Sequence, residues 1–285
     1  MKLWHSYIAA TRYRKELHMK KYLSFFRLRF TMGLQYRAAA LAGIATQFFW
    51  GAMEILVFRA FYSADAGNFP MEFSAMVSYV WLQQAFLAFF SVWMLENEIF
   101  DTIMNGNIAY ELCRPIDIYN MWFSRSIANR ISRAVLRCFP ILIIAALLPE
   151  PYGMSLPADI MHFIIFLITL ILGLAVMVAF CMLIYVITFF TISPNGVRAI
   201  LTSATEFLSG AIIPLPFFPR SIQRVLESLP FAAMQNVPLR IYSGNLTGAE
   251  MTWAVILQVF WLMVLVTGGK MLCAHAVRRA TVQGG

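Results

Sequence analysis

Charged residues are scarce in this sequence. Lysine, arginine, aspartate and glutamate make up 13% of the 285 residues, and 60% of the residues are apolar, whereas a soluble domain carries about 25% charged residues. A soluble chain of this composition would expose much of its apolar surface to water. The composition therefore excludes an ordinary soluble domain and predicts an all-α membrane protein, with lipid as its surroundings.

Reactive and metal-binding side chains are also few. The four cysteines and four histidines are far apart in the sequence, so we predict neither a zinc site nor a disulfide framework. Nucleophile elbows and zinc-protease helices are absent. A phosphate-binding loop is absent too, because Gly268-Gly269-Lys270 is followed by methionine. We therefore expect that the chain is not an enzyme and binds no cofactor itself.

Six apolar stretches approach the ~20 residues that a helix needs to cross a bilayer. They cover approximately residues 38–62, 73–95, 122–148, 160–191, 197–213 and 251–274. Lysine and arginine concentrate before the first stretch, between the second and third, and after the sixth, so both termini are predicted to be cytosolic. These flanks explain the net charge of +8, which is no indication of nucleic-acid binding.

The cytosolic ends are residues 1–37 and 275–285, and residues 38–274 form the predicted membrane domain. Residues 1–37 are basic and lack the apolar core and cleavage site of a signal peptide. Within them, apolar residues recur at helical spacing, opposite a polar face. The apolar residues are Met19, Tyr22, Leu23, Phe26 and Phe30, and the polar ones are Lys20, Ser24 and Arg27. We predict an amphipathic helix on the inner leaflet, with a simple charged anchor as the alternative.

A polar cytosolic connection spans residues 96–122. Ile99, Phe100, Ile103 and Met104 could share one face of a short helix, whose end is predicted at Gly106. Glu98 and Asp101 lie near the start of that helix. Such a helix suits docking into a groove on a soluble partner, and a solvated loop is the alternative.

A second connection, residues 209–248, contains three closely spaced prolines. Pro214, Pro216 and Pro219 would end the fifth stretch early, and apolar residues at helical spacing follow them. This segment is predicted to be an extracytosolic re-entrant hairpin. In the predicted topology, basic residues concentrate on the cytosolic side of the membrane. This extracytosolic segment is the exception, because it contains Arg220, Arg224 and Arg240.

Polar residues inside the apolar stretches are candidate functional residues, because polar groups are costly in lipid. They are Glu54, Arg59, Gln83, Gln84 and Glu206. Structural pairing within the helix bundle is the alternative, and Arg59 could extend to the membrane surface.

Several short motifs carry a family resemblance. They are Gly106-Asn107-Ile108-Ala109, Leu112-Cys113-Arg114-Pro115, the run from Leu208 to Leu215, Phe218-Pro219 and Leu229-Pro230. In this order, on a frame of six spans, they resemble the permease subunits of ABC-2 type exporters. The resemblance covers nearly the whole chain.

The resemblance implies a type V (ABCG-like) transmembrane domain in a bacterial plasma (inner) membrane. It implies a coupling helix within residues 98–117 that contacts separate ABC ATPase subunits, which bind ATP and Mg²⁺. The residues assigned to coupling are Glu98, Ile99, Phe100, Asp101, Ile103, Met104, Arg114 and Asp117. A second permease, identical or related, is the other expected partner besides membrane lipid.

The resemblance also implies alternating access through a path between the two permeases. The residues assigned to this path or its gate are Glu54, Gln83, Gln84, Glu206, Phe207 and Pro214. Two other classes stay open: an ion-coupled secondary transporter, which usually shows internal repeats that are not evident here, and a membrane assembly protein without transport activity.

Overall fold

The computed structural model describes residues 20–64, 69–191 and 193–279, and these residues contain helices and connections but no strands. The helices are residues 20–33 (α1), Arg37–Ala64 (α2), Phe73–Ala85 (α3), Leu87–Phe90 (α4), Asn97–Met104 (α5), Ile108–Leu112 (α6), Ile118–Leu147 (α7), Ile160–Thr188 (α8), Pro194–Leu208 (α9), Arg220–Ser228 (α10), Asn236–Tyr242 (α11) and Gly248–Arg279 (α12), with a 3-10 turn at Leu215–Phe217.

Three of these helices, α2, α8 and α12, are long and apolar enough to cross a membrane. Helix α7 has 30 residues but carries several arginines. Helices α3 and α9 have 13 and 15 residues, or roughly 20 and 22 Å at 1.5 Å per residue, less than the ~30 Å of hydrocarbon. The membrane character of the chain is confirmed, and six crossings stay a prediction.

Helix α8 is the centre of the bundle. Its sequence is apolar almost throughout, and α4, α5, α7, α9, α11 and α12 all pack against it. An apolar helix is suited to this position because neighbours cover much of its surface, while residues such as Ile164, Ile168 and Ile171 in its first half stay exposed.

The predicted second span, residues 73–95, is not one helix. Helix α3 ends at Ala85, α4 ends at Phe90, and Ser91 is extended. The break leaves backbone carbonyls without helical partners, and the buried Arg130 of α7 donates to the carbonyls of Ala88, Phe89 and Ser91 at 2.9, 3.3 and 2.9 Å. All three bonds come from Nη1, whose two hydrogens are shared among the three acceptors, and Nη2 donates to Sγ of Cys181 at 3.4 Å.

The two polar connections lie at opposite ends of α8. At the carboxyl end, Phe100 of α5 packs on Tyr185 with ring centroids 5.0 Å apart. Near the amino end, Tyr242 of α11 packs on Phe166 at 5.1 Å. Phe166 and Tyr185 are separated by nineteen residues of α8, or about 28 Å. This separation agrees with the prediction that residues 96–122 and 209–248 lie on opposite sides of the membrane.

Helix α1 packs against α7. The Tyr22 hydroxyl accepts a hydrogen bond from the Asp117 backbone N–H at 3.1 Å, and the Ser124 hydroxyl donates to the Tyr22 carbonyl at 3.4 Å. Leu23 is exposed although we placed it on the apolar face. Residues 1–19, including Met19, lie outside the described part of the chain.

The helix of the fifth apolar stretch ends six residues before Pro214, so the glycine that follows it, and not the expected prolines, marks its end. Helix α9 stops at Leu208, and Gly210 has a φ of 83°, a conformation that glycine adopts at little cost. Pro214 precedes the 3-10 turn and Pro219 precedes α10. The depth of this segment in the membrane stays a prediction.

Candidate functional site

A cavity of about 1000 Å³ lies between α2, the α3–α4 break, α7, α9 and residues 209–213. It brings together four of the six residues assigned to the substrate path: Glu54, Gln83, Gln84 and Glu206. Intramembrane polarity alone identified these residues, since carboxylates and amides in a membrane bundle usually face a cavity or a partner.

The rest of the lining is mainly apolar, with many aromatic rings. The aromatic residues are Trp50, Phe58, Phe61, Phe69, Phe90, Trp93 and Phe217. An apolar lining with a few convergent polar groups is typical of a small-molecule binding site.

Several polar atoms at this cavity are buried without a hydrogen-bond partner among the described residues. They include one carboxylate oxygen of Glu54, the amide oxygens of Gln47 and Gln83, and Nε of Arg137. Unpaired buried polar atoms are uncommon in folded proteins and cost about 1–3 kcal/mol each. Their concentration here indicates that the cavity is suited to a polar or charged ligand group.

Arg137 and Gln47 were missed in the sequence. Arg137 packs directly over Gly43, where any side-chain carbon would overlap its guanidinium. Arg137 lies well inside α7, within the predicted third span at residues 122–148. Its position within a candidate span was the signal that should have identified it.

Gln83 also has a structural role. Its amide donates to the Ala211 carbonyl at 2.7 Å, and the Tyr79 hydroxyl and Gln235 amide donate to the Gly210 carbonyl at 3.2 and 3.3 Å. These bonds hold the turn after α9 against α3. The alternative of structural pairing within the helix bundle is therefore confirmed for the amide N–H of Gln83.

The other path residues lie elsewhere. Phe207 is exposed and contacts Phe218 edge-to-face, with centroids 5.7 Å apart. Pro214 is buried at the start of the 3-10 turn. Neither is among the described residues that line the cavity. Arg59 instead stacks over the Tyr152 ring, 4.8 Å from its centroid.

The predicted short helix in the cytosolic connection is present as α5, and Gly106 follows it with a φ of 72°. The prediction that the apolar face of α5 contacts a partner protein is wrong for two of its residues, Ile99 and Phe100. Ile99 and Phe100 are 1% and 4% exposed and belong to the core around α8. The apolar face of α5 is covered by the chain itself, so only Met104 of the four apolar residues is exposed, and Ile103 is half-buried.

Three apolar side chains are exposed on α5 and α6. Met104, Tyr110 and Leu112 are 43%, 75% and 40% exposed. Glu98, Asp101, Arg114 and Asp117 are exposed nearby in the sequence. We call Met104, Tyr110 and Leu112 the α5–α6 patch. Sequence periodicity did not find Tyr110 and Leu112, because the chain turns between the two short helices.

Ion pairs and hydrogen bonds attach α5 and the residue before it to α7, α8 and α9. Arg125 of α7 pairs with both Glu96 and Glu98. The Glu96 backbone N–H donates to the Tyr185 hydroxyl of α8 at 2.7 Å. Arg198 of α9 donates to the Asn97 side chain at 2.7 Å.

Helix α1 and the first residues of α7 also lie against the segment that contains α5. Arg29 of α1 lies 3.8 Å from the Glu98 carboxylate. Asp117 caps α7 by accepting from the Asn120 backbone N–H at 2.8 Å. Because α5 is held from α1, α7, α8 and α9, displacement of α5 would also displace these helices.

The hydrogen bond and charge of Arg125 lower the pKa of Glu98 below its ordinary value. A carboxyl whose pKa is lowered by folding stabilises the fold above its unfolded pKa and loses that contribution as the pH falls through its folded pKa. We expect the 96–117 segment to become more susceptible to limited proteolysis below about pH 4.5. Glu98→Gln should show increased cleavage already at pH 7, and Asp101→Asn, an exposed control on the same helix, should not. Equal cleavage of the two variants at pH 7 would contradict this role of Glu98.

The described helices and the cavity between them define a multi-pass membrane protein with an internal site. Residues 48–284 match the family model described as ABC-2 family transporter protein. Because this match covers most of the chain, the protein belongs to the ABC-2 transporter family. A search of curated proteins finds no match. The family is a membrane component of ABC transporters rather than their ATPase, and membership implies an ABC ATPase partner.

Proposed function

We propose that this protein is the permease subunit of an ATP-driven exporter in a bacterial inner (plasma) membrane. It crosses the bilayer six times, with both termini in the cytosol, and moves its substrate by alternating access. The observation that carries this proposal is the connection of the exposed α5–α6 patch to the helices that line the cavity.

Two helices link the patch to the cavity. Helix α7 pairs with α5 through Arg125 and lines the cavity with Arg137, which is twelve residues, or about 18 Å, further along the helix. Helix α9 contacts α5 through Arg198 and lines the cavity with Glu206, eight residues or about 12 Å away. A shift of α5 would therefore move α7 and α9 as rigid helices and displace Arg137 and Glu206 in the cavity.

In the proposed cycle, ATP and Mg²⁺ bind to the partner ATPase subunits. Closure of the ATPase dimer displaces the α5–α6 patch of each permease and favours the outward-open state. Nucleotide can shift this equilibrium only through its different affinity for the two states. The ion pairs of Arg125 transmit the displacement, and the cavity residues hold the substrate.

The second permease would cover the exposed face of α2. Phe49, Trp50 and Phe61 are 72%, 59% and 58% exposed on this helix, and Trp50 and Phe61 also line the cavity. A second copy or a related permease placed here would close the cavity from the side, and lipid would cover the remaining apolar surface.

The short helices α3 and α9 support the six-span arrangement despite their length. Residues 87–95 follow α3 as the short helix α4 and then non-helical backbone from Ser91, and residues 209–213 follow α9 as a turn at Gly210. Such backbone is tolerated at membrane depth only where protein or a watery cavity surrounds it. The hydrogen bonds of Arg130 and Gln83 provide those surroundings.

The test is co-purification of an ATPase with the tagged, full-length protein from its native membrane in mild detergent. We expect Met104→Asp with Tyr110→Asp to reduce the retained ATPase by about tenfold or more, because tyrosines at the centre of an interface often contribute at least 2 kcal/mol. Both side chains are exposed, so the fold should be preserved.

Leu156→Asp is the matched control, because Leu156 is 88% exposed and belongs to the connection at the other end of the bundle. It should retain the ATPase like the unchanged protein. If the unchanged protein retains no ATPase in several detergents, or if the double variant retains as much as the control, the proposed coupling role is wrong.

A further inference from the structure

A second cavity, of about 890 Å³, lies between α10, α11 and the start of α12. It is at the end of the bundle opposite α5. Its lining includes the three arginines that break the charge asymmetry of the sequence, Arg220, Arg224 and Arg240, and two carboxylates, Glu227 and Glu250. The lining therefore has one more basic than acidic residue.

A hydrogen-bonded network forms one wall of this cavity. The buried Arg240 pairs with Glu227 and donates to the Asn245 side chain at 2.7 Å. The Gln223 amide donates to the same Glu227 carboxylate at 2.8 Å. Asn245 in turn donates to the Pro70 carbonyl at 3.2 Å. Arg240 and Glu227 thus neutralise each other, and the wall is fixed in place.

Arg220 and Arg224 are not used by this network. Both are exposed on α10 and line the cavity, and neither forms an ion pair within the described ranges 20–64, 69–191 and 193–279. Glu250, the remaining carboxylate, lies in the first turn of α12, where the helix dipole stabilises its negative charge. Two guanidinium groups are therefore available to a ligand.

Asn236 is a second, independent indication of a ligand. It lines the cavity and is 1% exposed, yet its amide oxygen has no hydrogen-bond partner among the described residues. A buried amide without a partner is costly. Because the unpaired atom is an oxygen, it can accept a hydrogen bond from a hydroxyl or another donor on the ligand beside the phosphate.

The rim of the cavity is apolar and exposed. Ile222 and Val225 of α10 are 48% and 60% exposed, and Trp253 of α12 is 63% exposed. In a membrane protein such surfaces contact acyl chains, and tryptophan is enriched where the bilayer meets water. The cavity therefore joins an arginine-rich interior to a lipid-contacting rim, which a soluble anion does not require.

We propose that this cavity binds the phosphate-bearing headgroup of an anionic phospholipid in the leaflet opposite α5. Arg220 and Arg224 contact the phosphate, Asn236 bonds to the headgroup, and the acyl chains lie along Ile222, Val225 and Trp253. Basic pockets between membrane helices bind anionic headgroups on the cytosolic or matrix side of other membranes, and the same charge-assisted contacts are available in the opposite leaflet. The proposal requires only the membrane location of the chain, and neither export nor an ATPase.

The experiment is a titration of phosphatidylglycerol carrying a fluorophore on its acyl chain, with the purified full-length protein in uncharged detergent at constant ionic strength. Fluorescence anisotropy reports binding, and unlabelled phosphatidylglycerol, phosphatidylcholine and inorganic phosphate serve as competitors. We expect phosphatidylglycerol to compete at least about tenfold better than phosphatidylcholine, since charge-assisted hydrogen bonds are the stronger ones.

Arg220→Gln with Arg224→Gln should weaken binding about tenfold or more. Arg278→Gln with Arg279→Gln, which removes two exposed arginines at the other end of α12, should change it less than about twofold. Asn236→Asp keeps the side-chain shape and should also weaken binding by adding a negative charge.

Three outcomes would overturn the proposal. Equal competition by phosphatidylglycerol and phosphatidylcholine would show that charge is not recognised. Unchanged binding by the Arg220 and Arg224 double variant would exclude these side chains. Displacement of the labelled lipid by inorganic phosphate at millimolar concentration would assign the site to a soluble anion instead.

Discussion

Replacing Arg130 with methionine is expected to lower the free energy of unfolding by about 2 kcal/mol or more. Arg130 is 3% exposed and donates to three backbone carbonyls at the break after α4 and to Sγ of Cys181. Methionine fills a similar volume but donates no hydrogen bond. In the interior of a membrane bundle, no water replaces these donors.

Two effects oppose each other in this substitution. The removal of a buried guanidinium recovers its desolvation cost, which favours the variant. Three carbonyls lose their donors, and each unsatisfied group costs about 1–3 kcal/mol. We expect the second effect to be larger, because three acceptors lose their donor at once in a bundle interior where no water replaces it.

The measurement is the thermal unfolding midpoint of the purified protein in detergent, followed by circular dichroism. Arg133→Met is the matched control, because Arg133 is on the same helix and exposed. Exposed substitutions of this kind usually change stability by less than about 0.5 kcal/mol. If both variants unfold at the same temperature, the hydrogen bonds of Arg130 do not stabilise the break in the second span.

The contacts of Arg130 could not be predicted from the sequence. Both the apolar run at residues 73–95 and the arginines of α7 are visible in the sequence. The carbonyls at the end of α4, where that run leaves the helical conformation, are paired with donors from Arg130, about forty residues further along the chain. Local propensity does not contain this tertiary contact, so the sequence predicts a single span.

Other features depend on local chemistry and were therefore predictable. Gly106 ends α5 in a left-handed conformation. Glu54 and Glu206 were found because any polar group in an apolar helix is costly. In each case the chemistry of the residue type alone is enough to predict its position or role.

The face of an amphipathic helix is predictable, but what covers that face is not. The spacing of Ile99, Phe100, Ile103 and Met104 indicates an apolar side of α5. It does not distinguish a partner protein from the chain's own core, and here α8 covers Ile99 and Phe100. Arg137 was missed for a related reason, because positive charge near a span was interpreted as orientation rather than as part of the cavity.

Gly173→Ala is expected to produce a comparable loss of stability through steric overlap. A methyl group at this position of α8 would overlap the backbone carbonyl of Met234, in the turn that precedes α11. Backbone cannot rotate away as a flexible side chain can, so α8 and this turn must separate. Overpacking of a close helix contact costs about 1–3 kcal/mol, and occasionally more.

The surroundings of Gly173 limit how far the turn can move. Gln258 of α12 is fully buried, and its amide donates to the Thr169 carbonyl of α8 at 2.9 Å and to the Ala233 carbonyl at 2.8 Å. A shift of the turn would lengthen the second of these bonds. The cost of the overlap is therefore added to that of a weakened buried hydrogen bond.

Gly196→Ala is the control with the opposite expected sign. Gly196 lies within α9, and a methyl group there would meet no atom within 4 Å. Alanine in a helix is about 0.5–1 kcal/mol more favourable than glycine, so this variant should unfold at a slightly higher temperature than the unchanged protein. Gly173→Ala should unfold at a lower one. If both glycine variants were stabilised, α8 and residues 231–236 could not be in backbone contact, and the attachment of the α10–α11 region to the bundle would be incorrect.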